Sequence, residues 1–394
     1  MAINSPKNGF LLINKPSGPT SHDIIDELRK ITGIRKIGHA GTLDPFASGL
    51  LLVGIGEATK LLKHYVGLNK TYEAVLRLGA ESDTYDRTGR ISKSQFSLAS
   101  KIPETKIQKI LQSFIGKQKQ IPPMYSAKKV DGKKLYELAR KGKNIKREPA
   151  EIEVYDIKLK SYALNLATCT FSVSSGTYIR TLAHDIGKKL GHGAYLEELK
   201  RTTIGGFKLK DAITIIARER TRDRGNPSNH APESSVKSFD SAQDDVSRHL
   251  MPLKTVLVSG TFDGVHKGHK NYFQQARAFG HRLICVVGRA SIVEKIKGKR
   301  PCLLARERIK LIKQCPEIDQ VYLGAAGADN EIYDFIASLK PDVIALGYDQ
   351  KAYTKNLKEE MKKRGLNVVI KKTKPFLPNK YKNSILSQNI DKKQ

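Results

Sequence analysis

The amino-acid sequence predicts two domains of different class. The first is α+β with a central mixed, largely antiparallel sheet; the second is α/β with a parallel, Rossmann-like sheet. Three observations carry this prediction. The chain has 394 residues, more than one hydrophobic core usually serves. The stretch from Arg218 to His249 is polar, rich in Ser, Asp and Arg, and keeps no sustained apolar period of 2 or 3.6. Strand-like and helix-like segments are mixed irregularly before it and alternate regularly after it. The expected boundaries are 1–216 for the first domain, 217–252 for a flexible linker and 253–394 for the second domain.

In the first domain, FLLIN (10–14) reads as a strand, and Thr20 can cap a helix whose Ile24, Ile25, Leu28 and Ile31 share one face. TYEAVLRLG, AEIEVYDIKL and LATCTFSVS are further strands, and KIQKILQSF, KKLYELARKG and YIRTLAHDIGKKL carry helical patterns. In the second, VLVSG, LICVVG, QVYLG and DVIALG are apolar strands separated by helices near KGHKNYFQQARAFG, ARERIKLIKQ and EIYDFIASLK. Strands of this kind, spaced by helices of this length, indicate βαβ crossovers.

Lys and Arg number 70 against 39 Asp and Glu, a net charge of +31. A surplus this large favours a polyanionic partner through phosphate neutralisation, nucleic acid first, although basic composition also serves solubility. The 39% hydrophobic and 28% charged content argue against wholesale disorder. The four cysteines form no C-x-x-C pair and no zinc-like spacing, so neither a disulfide framework nor a structural metal is expected, and a reducing cytoplasm fits. The N-terminus lacks a secretory pattern, and the apolar run Leu50 to Ile55 is too short to span a bilayer. The expected setting is the cytoplasm, with no membrane partner.

Two segments carry chemistry. Gly38-His39-Ala40-Gly41-Thr42-Leu43-Asp44-Pro45 puts a carboxylate in a Gly-rich, proline-terminated loop, a kind of loop that carries function more often than a plain connection does. On residue chemistry alone Asp44 also fits a turn residue or a helix cap. SGTFDGVHKGHKNYF (259–273) places His266 and His269 three apart, after an apolar strand and at the opening of a helix. Gly-rich turns and a helix N-terminus present N–H groups to phosphate, and two histidines on one side can donate to transferring phosphoryl oxygens. Metal binding or helix capping by the pair is the competing reading.

The ordered blocks Lys15-Pro16, GPTSHD (18–23), GHAGTLDP (38–45), KTYEA (70–74), PPMYSAKKVDGKKLYELARKG (122–142) and SSGTYIRTLAHDIG (174–187) resemble the TruB family over about residues 9–210. The resemblance implies a pseudouridine-synthase fold that converts uridine to pseudouridine at position 55 in the TΨC loop of tRNA, without a cofactor. It implies Asp44 as the catalytic carboxylate, Tyr72 as the aromatic beside the target base and Arg180 as the partner of Asp44. His39, Lys15, Tyr125 and Lys128 would contact RNA, the last two within a Lys-rich stretch that also reads as a solvated helical face. A nearby Arg180 is expected to keep the pKa of Asp44 low. One departure is expected: after RTTIGGF the family continues into a small C-terminal RNA-binding domain, where this chain enters the polar stretch.

The second domain, about 254–390, resembles the cytidylyltransferase-like nucleotidyltransferases through its H-x-G-H segment. VEKIKGKRP and KPDVIALGYDQ are most similar to the archaeal FAD synthetase type. By that resemblance His266 and His269 bind the triphosphate, Asp263 sits at the strand end, Lys295 or Lys297 neutralises phosphates, and Gly347, Tyr348 and Asp349 line the nucleotide pocket. YKNSILSQNI (381–390), with Ser384 and Ser387, only loosely matches the family's phosphate segment. ATP (or CTP) with Mg²⁺ and a phosphorylated small-molecule acceptor would be the substrates, FMN adenylylation being preferred. Glycerol-phosphate cytidylyl transfer and a non-catalytic binding module are the alternatives. No metal ligand set and no oligomeric state are read from the sequence.

Overall fold

The computed structural model describes residues 8–93, 102–124, 129–130, 133–134, 145, 147–215, 239–350, 354 and 356–376. The chain forms two compact units, Met1–Met251 and Pro252–Gln394.

The first unit is built on a ten-stranded sheet. Its main path runs Met251–Pro252, Gly9–Lys15, Ser48–Ile55, Ala194–Ile204, Lys70–Leu78, Leu166–Val173, Ala150–Ala163, Gly116–Gln120. From Gly9–Lys15 onward the strands pair antiparallel except where Lys200 and Arg201 run parallel to Ser48 and Gly49. That parallel contact makes the sheet mixed, and it lies beside the Asp44 loop. The helix Ser21–Thr32 starts at Thr20, whose side chain accepts from the Asp23 N–H while Asp23 returns a bond to the Thr20 N–H, a reciprocal cap that satisfies two orphan donors. Its Ile24, Ile25, Leu28 and Ile31 pack with Leu11, Ile13, Leu51 and Val53 of the sheet. A second cluster joins Ile107 and Leu111 of the helix Glu104–Gln112 to Leu182 and Ile186 of the helix Ile179–Leu190, against Tyr72, Ala74, Leu76 and Phe171.

Two expectations change. The stretch 217–252, read as a flexible linker, contains the helix Phe239–His249, and Val246 and Leu250 are buried in the same cluster as Leu11 and Ile24. The polar residues around them hide a sparse apolar row at Phe239, Ala242, Val246 and Leu250, which is a helical stripe. The strand Ala194–Ile204, which the sequence pattern does not indicate, lies inside the sheet. Of the expected helix at KKLYELARKG, Lys133 and Lys134 instead pair as a strand with Val130 and Lys129, and the remaining residues fall outside the described ones.

The second unit is a five-stranded, all-parallel sheet in the order Gln320–Leu323, Arg282–Val287, Thr255–Gly260, Val343–Leu346, Val369–Lys372. The chain reverses its direction of travel between Thr255–Gly260 and Val343–Leu346. In such sheets ligands bind outside the carboxyl ends of the strands at that point.

Candidate functional sites

The loop that carries Asp44 is held by side chains that grip its backbone. The Ser21 hydroxyl donates to the Leu43 carbonyl at 3.1 Å and accepts from the Leu43 N–H at 2.9 Å. The Lys15 ammonium donates to the carbonyls of Pro16 (2.7 Å), Pro19 (2.7 Å) and Pro45 (3.2 Å). Arg201, 1% exposed, donates from Nε to Leu50 and from Nη2 to Gly41 at 2.8 and 2.9 Å. Gly49 has φ +104°, and a Cβ there would lie 2.3 Å from the Arg201 carbonyl, so only glycine permits this close approach.

Arg180 enters from the first turn of the helix Ile179–Leu190. Tyr178, just before that helix, is fixed by Gln120, whose amide accepts from the Tyr178 N–H (2.8 Å) and donates to the Tyr178 carbonyl (3.0 Å). The Arg180 guanidinium meets both Asp44 oxygens, Nε to Oδ2 at 3.0 Å and Nη2 to Oδ1 at 3.2 Å. Its Nη1 meets Asp86 Oδ2 at 3.1 Å. Two-pronged contacts of this kind fix geometry as well as charge. Asp86 is 2% exposed, and its other oxygen accepts from the Thr84 hydroxyl and from the Thr88 N–H and hydroxyl. Arg180 is buried like Asp86, while the Asp44 side chain is 34% exposed. Of the three charges, Asp44 is the one that faces outward.

Burial pushes the Asp44 carboxyl above its usual pKa; Arg180 opposes this and Asp86 adds to it. The expected lowering of its pKa by Arg180 is therefore corrected: the guanidinium offsets part of a larger desolvation. His39 is pushed down to about 4 by burial, by Arg201 and by His22, so its ring is neutral near pH 7, and its buried Nδ1 has no hydrogen-bond partner. Tyr72 is 8% exposed and belongs to the cluster that includes Leu43.

Lys15 departs from its expected role. It is fully buried, with three backbone carbonyls around its ammonium, and burial lowers its pKa to about 8 despite the attraction of Asp44. It shapes the loop from beneath and has no surface to offer RNA. Tyr125 and Lys128 lie outside the described residues. Nothing in the sequence marks Asp86, because SDTYDRTG resembles any polar turn.

In the second unit, a cleft of about 1290 Å³ lies along the carboxyl edge of the parallel sheet. His266 caps the helix Lys267–Arg277, its Nδ1 accepting from the Gly268 N–H at 3.1 Å. The rings of His266 and His269 stack with centroids 3.9 Å apart. Burial, helped by His266, pushes His269 down to about 3. Gln350 bridges the switch point, donating to the Ser259 hydroxyl at 3.0 Å and accepting from the Gly347 N–H at 3.3 Å. Gly347, Tyr348, Asp349 and Lys297 line the cleft.

Of the expected nucleotide set, Asp263 lines the cleft with its oxygens already engaged, and Lys295 lies outside the cleft. Asp263 spends its oxygens on the N–H groups of Cys302 (2.7 Å) and Leu303 (2.8 Å), so it holds the loop at the rim and is not an open ligand. Lys295 is 3.6 Å from Asp329, is largely exposed and is not among the cleft residues. Of the two lysines, Lys297 is the one at the site. Ser384 and Ser387 lie outside the described residues. Among the described residues no group of three His, Cys, Asp or Glu could hold a metal ion, and no helix is long and apolar enough to cross a membrane.

Comparison with known proteins adds three family matches in chain order. Residues 29–179 match the N-terminal domain of TruB family pseudouridylate synthase, 180–257 the tRNA pseudouridylate synthase B C-terminal domain, and 257–393 the cytidylyltransferase-like family. The tRNA pseudouridine synthase B of Thermosipho melanesiensis is 47% identical over 205 residues, 52% of this chain and 66% of the relative. That of Geobacter sulfurreducens is 44% identical over 219 residues, 56% and 71%. That of Thermotoga maritima is 38% identical over 251 residues, 64% and 73%. The chain thus spans about two thirds of the length of the first relatives it matches. The match over 180–257 overturns the expectation that a C-terminal domain is replaced by linker, and it covers the packed helix Phe239–His249.

Proposed function

Because this chain belongs to the TruB family of pseudouridylate synthases, we propose that its first unit isomerises uridine to pseudouridine at position 55 in the TΨC loop of tRNA. The observation that carries the reading is the Asp44 carboxylate, gripped at both oxygens by a buried Arg180 yet open on one side. In the reaction the N1–C1′ bond breaks, the detached ring turns, C5 bonds to C1′, and the C5 proton is exchanged for one on N1. The target base must leave its stack and be held throughout. Ionised Asp44 supplies either attack on carbon or stabilisation of positive charge developing on the sugar. The neutral imidazole of His39, with an unmet Nδ1, is suited to the extruded nucleotide, and Tyr72 bounds the base site. Asp44→Asn, nearly isosteric but uncharged, should fold and bind tRNA transcript while pseudouridine formation falls on the order of a thousandfold or more. Parent-level modification by the Asn variant would remove Asp44 from the mechanism.

We further propose that the second unit transfers a nucleotidyl group from a triphosphate to a phosphorylated acceptor, with release of pyrophosphate. Support comes from the stacked histidines at a helix N-terminus beside the switch point, above a cleft that also holds Lys297, Lys299 and Arg300. Charge that builds on the α-phosphate and the leaving pyrophosphate meets these groups, and no covalent intermediate with the protein is needed. Asp349 is the cleft carboxylate suited to a phosphate-bound Mg²⁺, which would neutralise the triphosphate; such ions need only one or two protein carboxylates. FMN with ATP is the preferred pair, on the similarity of KPDVIALGYDQ, and glycerol phosphate with CTP the second. His269→Ala should lower pyrophosphate release about a hundredfold and leave pseudouridine formation intact. A parent that releases no pyrophosphate with either pair would favour a binding module.

A further inference from the structure

Tyr85 has φ +65°, a conformation that a bulky L-residue adopts only when its surroundings impose it. Its neighbour is Asp86, the buried carboxylate on Arg180. The Tyr85 ring stacks on His184, centroids 4.1 Å apart and planes 18° apart. His184 lies four residues beyond Arg180 on the helix Ile179–Leu190, one turn along the same face. Two successive residues of one turn thus dock on two successive turns of one helix, Asp86 on Arg180 by charge and Tyr85 on His184 by stacking. The turn's backbone is tied to the strand Ala194–Ile204 as well, the Leu196 N–H donating to Tyr85 and the Arg87 N–H to Leu196.

Resting on the isomerase reading of the first unit, we infer that Tyr85 and His184 are positioning residues. Their stack fixes the left-handed turn, the turn aims Asp86 at Arg180, and Arg180 so aimed presents its fork to Asp44. The main chain alone does not do this. The backbone ties hold the Tyr85 amide and carbonyl and the Arg87 amide, and Thr84 and Thr88 hold the outer oxygen of Asp86, whereas the stack holds the Tyr85 ring and with it the left-handed conformation that sets Asp86 towards Arg180. The aromatic plane is the part of His184 that Tyr85 meets, and its buried Nδ1 has no hydrogen-bond partner.

The test uses the full chain and tRNA transcript under single-turnover conditions. Tyr85→Ala and His184→Ala are each expected to slow pseudouridine formation on the order of tenfold to a hundredfold, the range that ångström-scale misplacement produces. The dissociation constant for tRNA should stay unchanged. Tyr85→Phe and His184→Phe, which retain stacked rings, are expected to restore most of the rate. Parent-like rates in both Ala variants would overturn the inference. So would a loss shared equally by rate and tRNA affinity, or one that the Phe variants fail to rescue. A parent inactive on tRNA would sink the isomerase reading alone; a crystal structure of His184→Ala then decides the positioning claim. An unchanged contact of Arg180 with both Asp44 oxygens would overturn it, and displacement of Arg180 would support it.

Discussion

The two units solve the problem of holding charge in opposite ways. In the first, Asp44, Arg180 and Asp86 form a closed row in which the protein supplies every partner before any substrate arrives. In the second, cations line a wide cleft whose only acidic lining residues, among the described ones, are Asp263 and Asp349, and Asp263 is already spent on the Cys302 and Leu303 amides. One site is complete without its ligand; the other is electrostatically unfinished until a polyanion enters. The contrast follows from the chemistry proposed for each. A carboxylate that must act on a carbon needs one fixed position, whereas phosphoryl transfer needs a positive enclosure that closes on the phosphates.

The sharpest way to break this contrast is to open the closed row. Arg180→Met leaves the buried Asp86 uncompensated beside the outward-facing Asp44. It is expected to destabilise the first unit by about 3–5 kcal/mol, as removal of one member of a buried ion pair does, and to abolish modification. Arg180→Met combined with Asp86→Leu should recover much of the stability, because the charge that remains, Asp44, has a side chain 34% exposed and the fully buried one is gone, but none of the activity. Denaturant midpoints and product analysis on both variants check this. Recovery of activity in the double variant would show that the row is scaffold and that Asp44 needs no fork.

The same contrast governs what could be read from the sequence. The second unit was legible because each strand buried on both faces is a continuous apolar run, VLVSG, LICVVG, DVIALG, and the helices between them are long enough to cross over. Its short helix Ala290–Lys297 and its edge strand Val369–Lys372, exposed at three of four side chains or nearly so, give no such signal. In the first unit the inner strand Ala194–Ile204 escaped notice because AYLEELKRTTI carries four charges. One of them, Arg201, is buried and bonded to main-chain carbonyls 151 and 160 residues away. Lys15 was misjudged for the same reason: a lysine beside a proline reads as a surface cation until Pro45 closes over it. Local pattern reports burial by apolar contact; it is silent on burial by long-range polar contact. Glycine and proline mark the Asp44 loop, but the catalytic role of Asp44 is legible only through the ordered blocks that resemble a known family.

Acidification sharpens the comparison at intermediate size. Both His39 and His269 are held neutral by burial, with folded pKa values of about 4 and about 3 against an ordinary value of 6.5. Between those limits the unfolded chain binds more protons, so the stability tied to each histidine is full above about pH 6.5 and is lost as pH falls towards the folded value. Both units should therefore weaken from about pH 6.5 towards pH 5, and the protonation of His269 has the lower folded pKa to reach. His39→Gln and His269→Gln should each flatten the pH dependence of melting for its own unit only. A parent whose melting is equally pH-dependent with or without His269 would mean that the cleft already admits enough water to solvate the charged ring.

The smallest expected effect separates two lysines that sequence could not. Lys295 and Lys297 both lie in the last turn of the helix Ala290–Lys297, and both read equally well as phosphate ligands. A helix puts residues two apart on different faces, and only Lys297 lines the cleft, while Lys295 faces Asp329 at 3.6 Å with both side chains mostly exposed. An exposed pair of that kind is worth less than about 1 kcal/mol and weakens with salt. Lys295→Ala should leave both folding and nucleotide affinity within about twofold of the parent. Lys297→Ala removes a cation from the enclosure that the triphosphate completes. It should raise the dissociation constant for ATP on the order of tenfold, more at low than at high ionic strength. Isothermal titration of the full chain with ATP at two salt concentrations distinguishes them. Equal losses from the two substitutions would mean that the helix reorients on binding and brings Lys295 to the phosphates, and the cleft would then be a site that forms around its ligand.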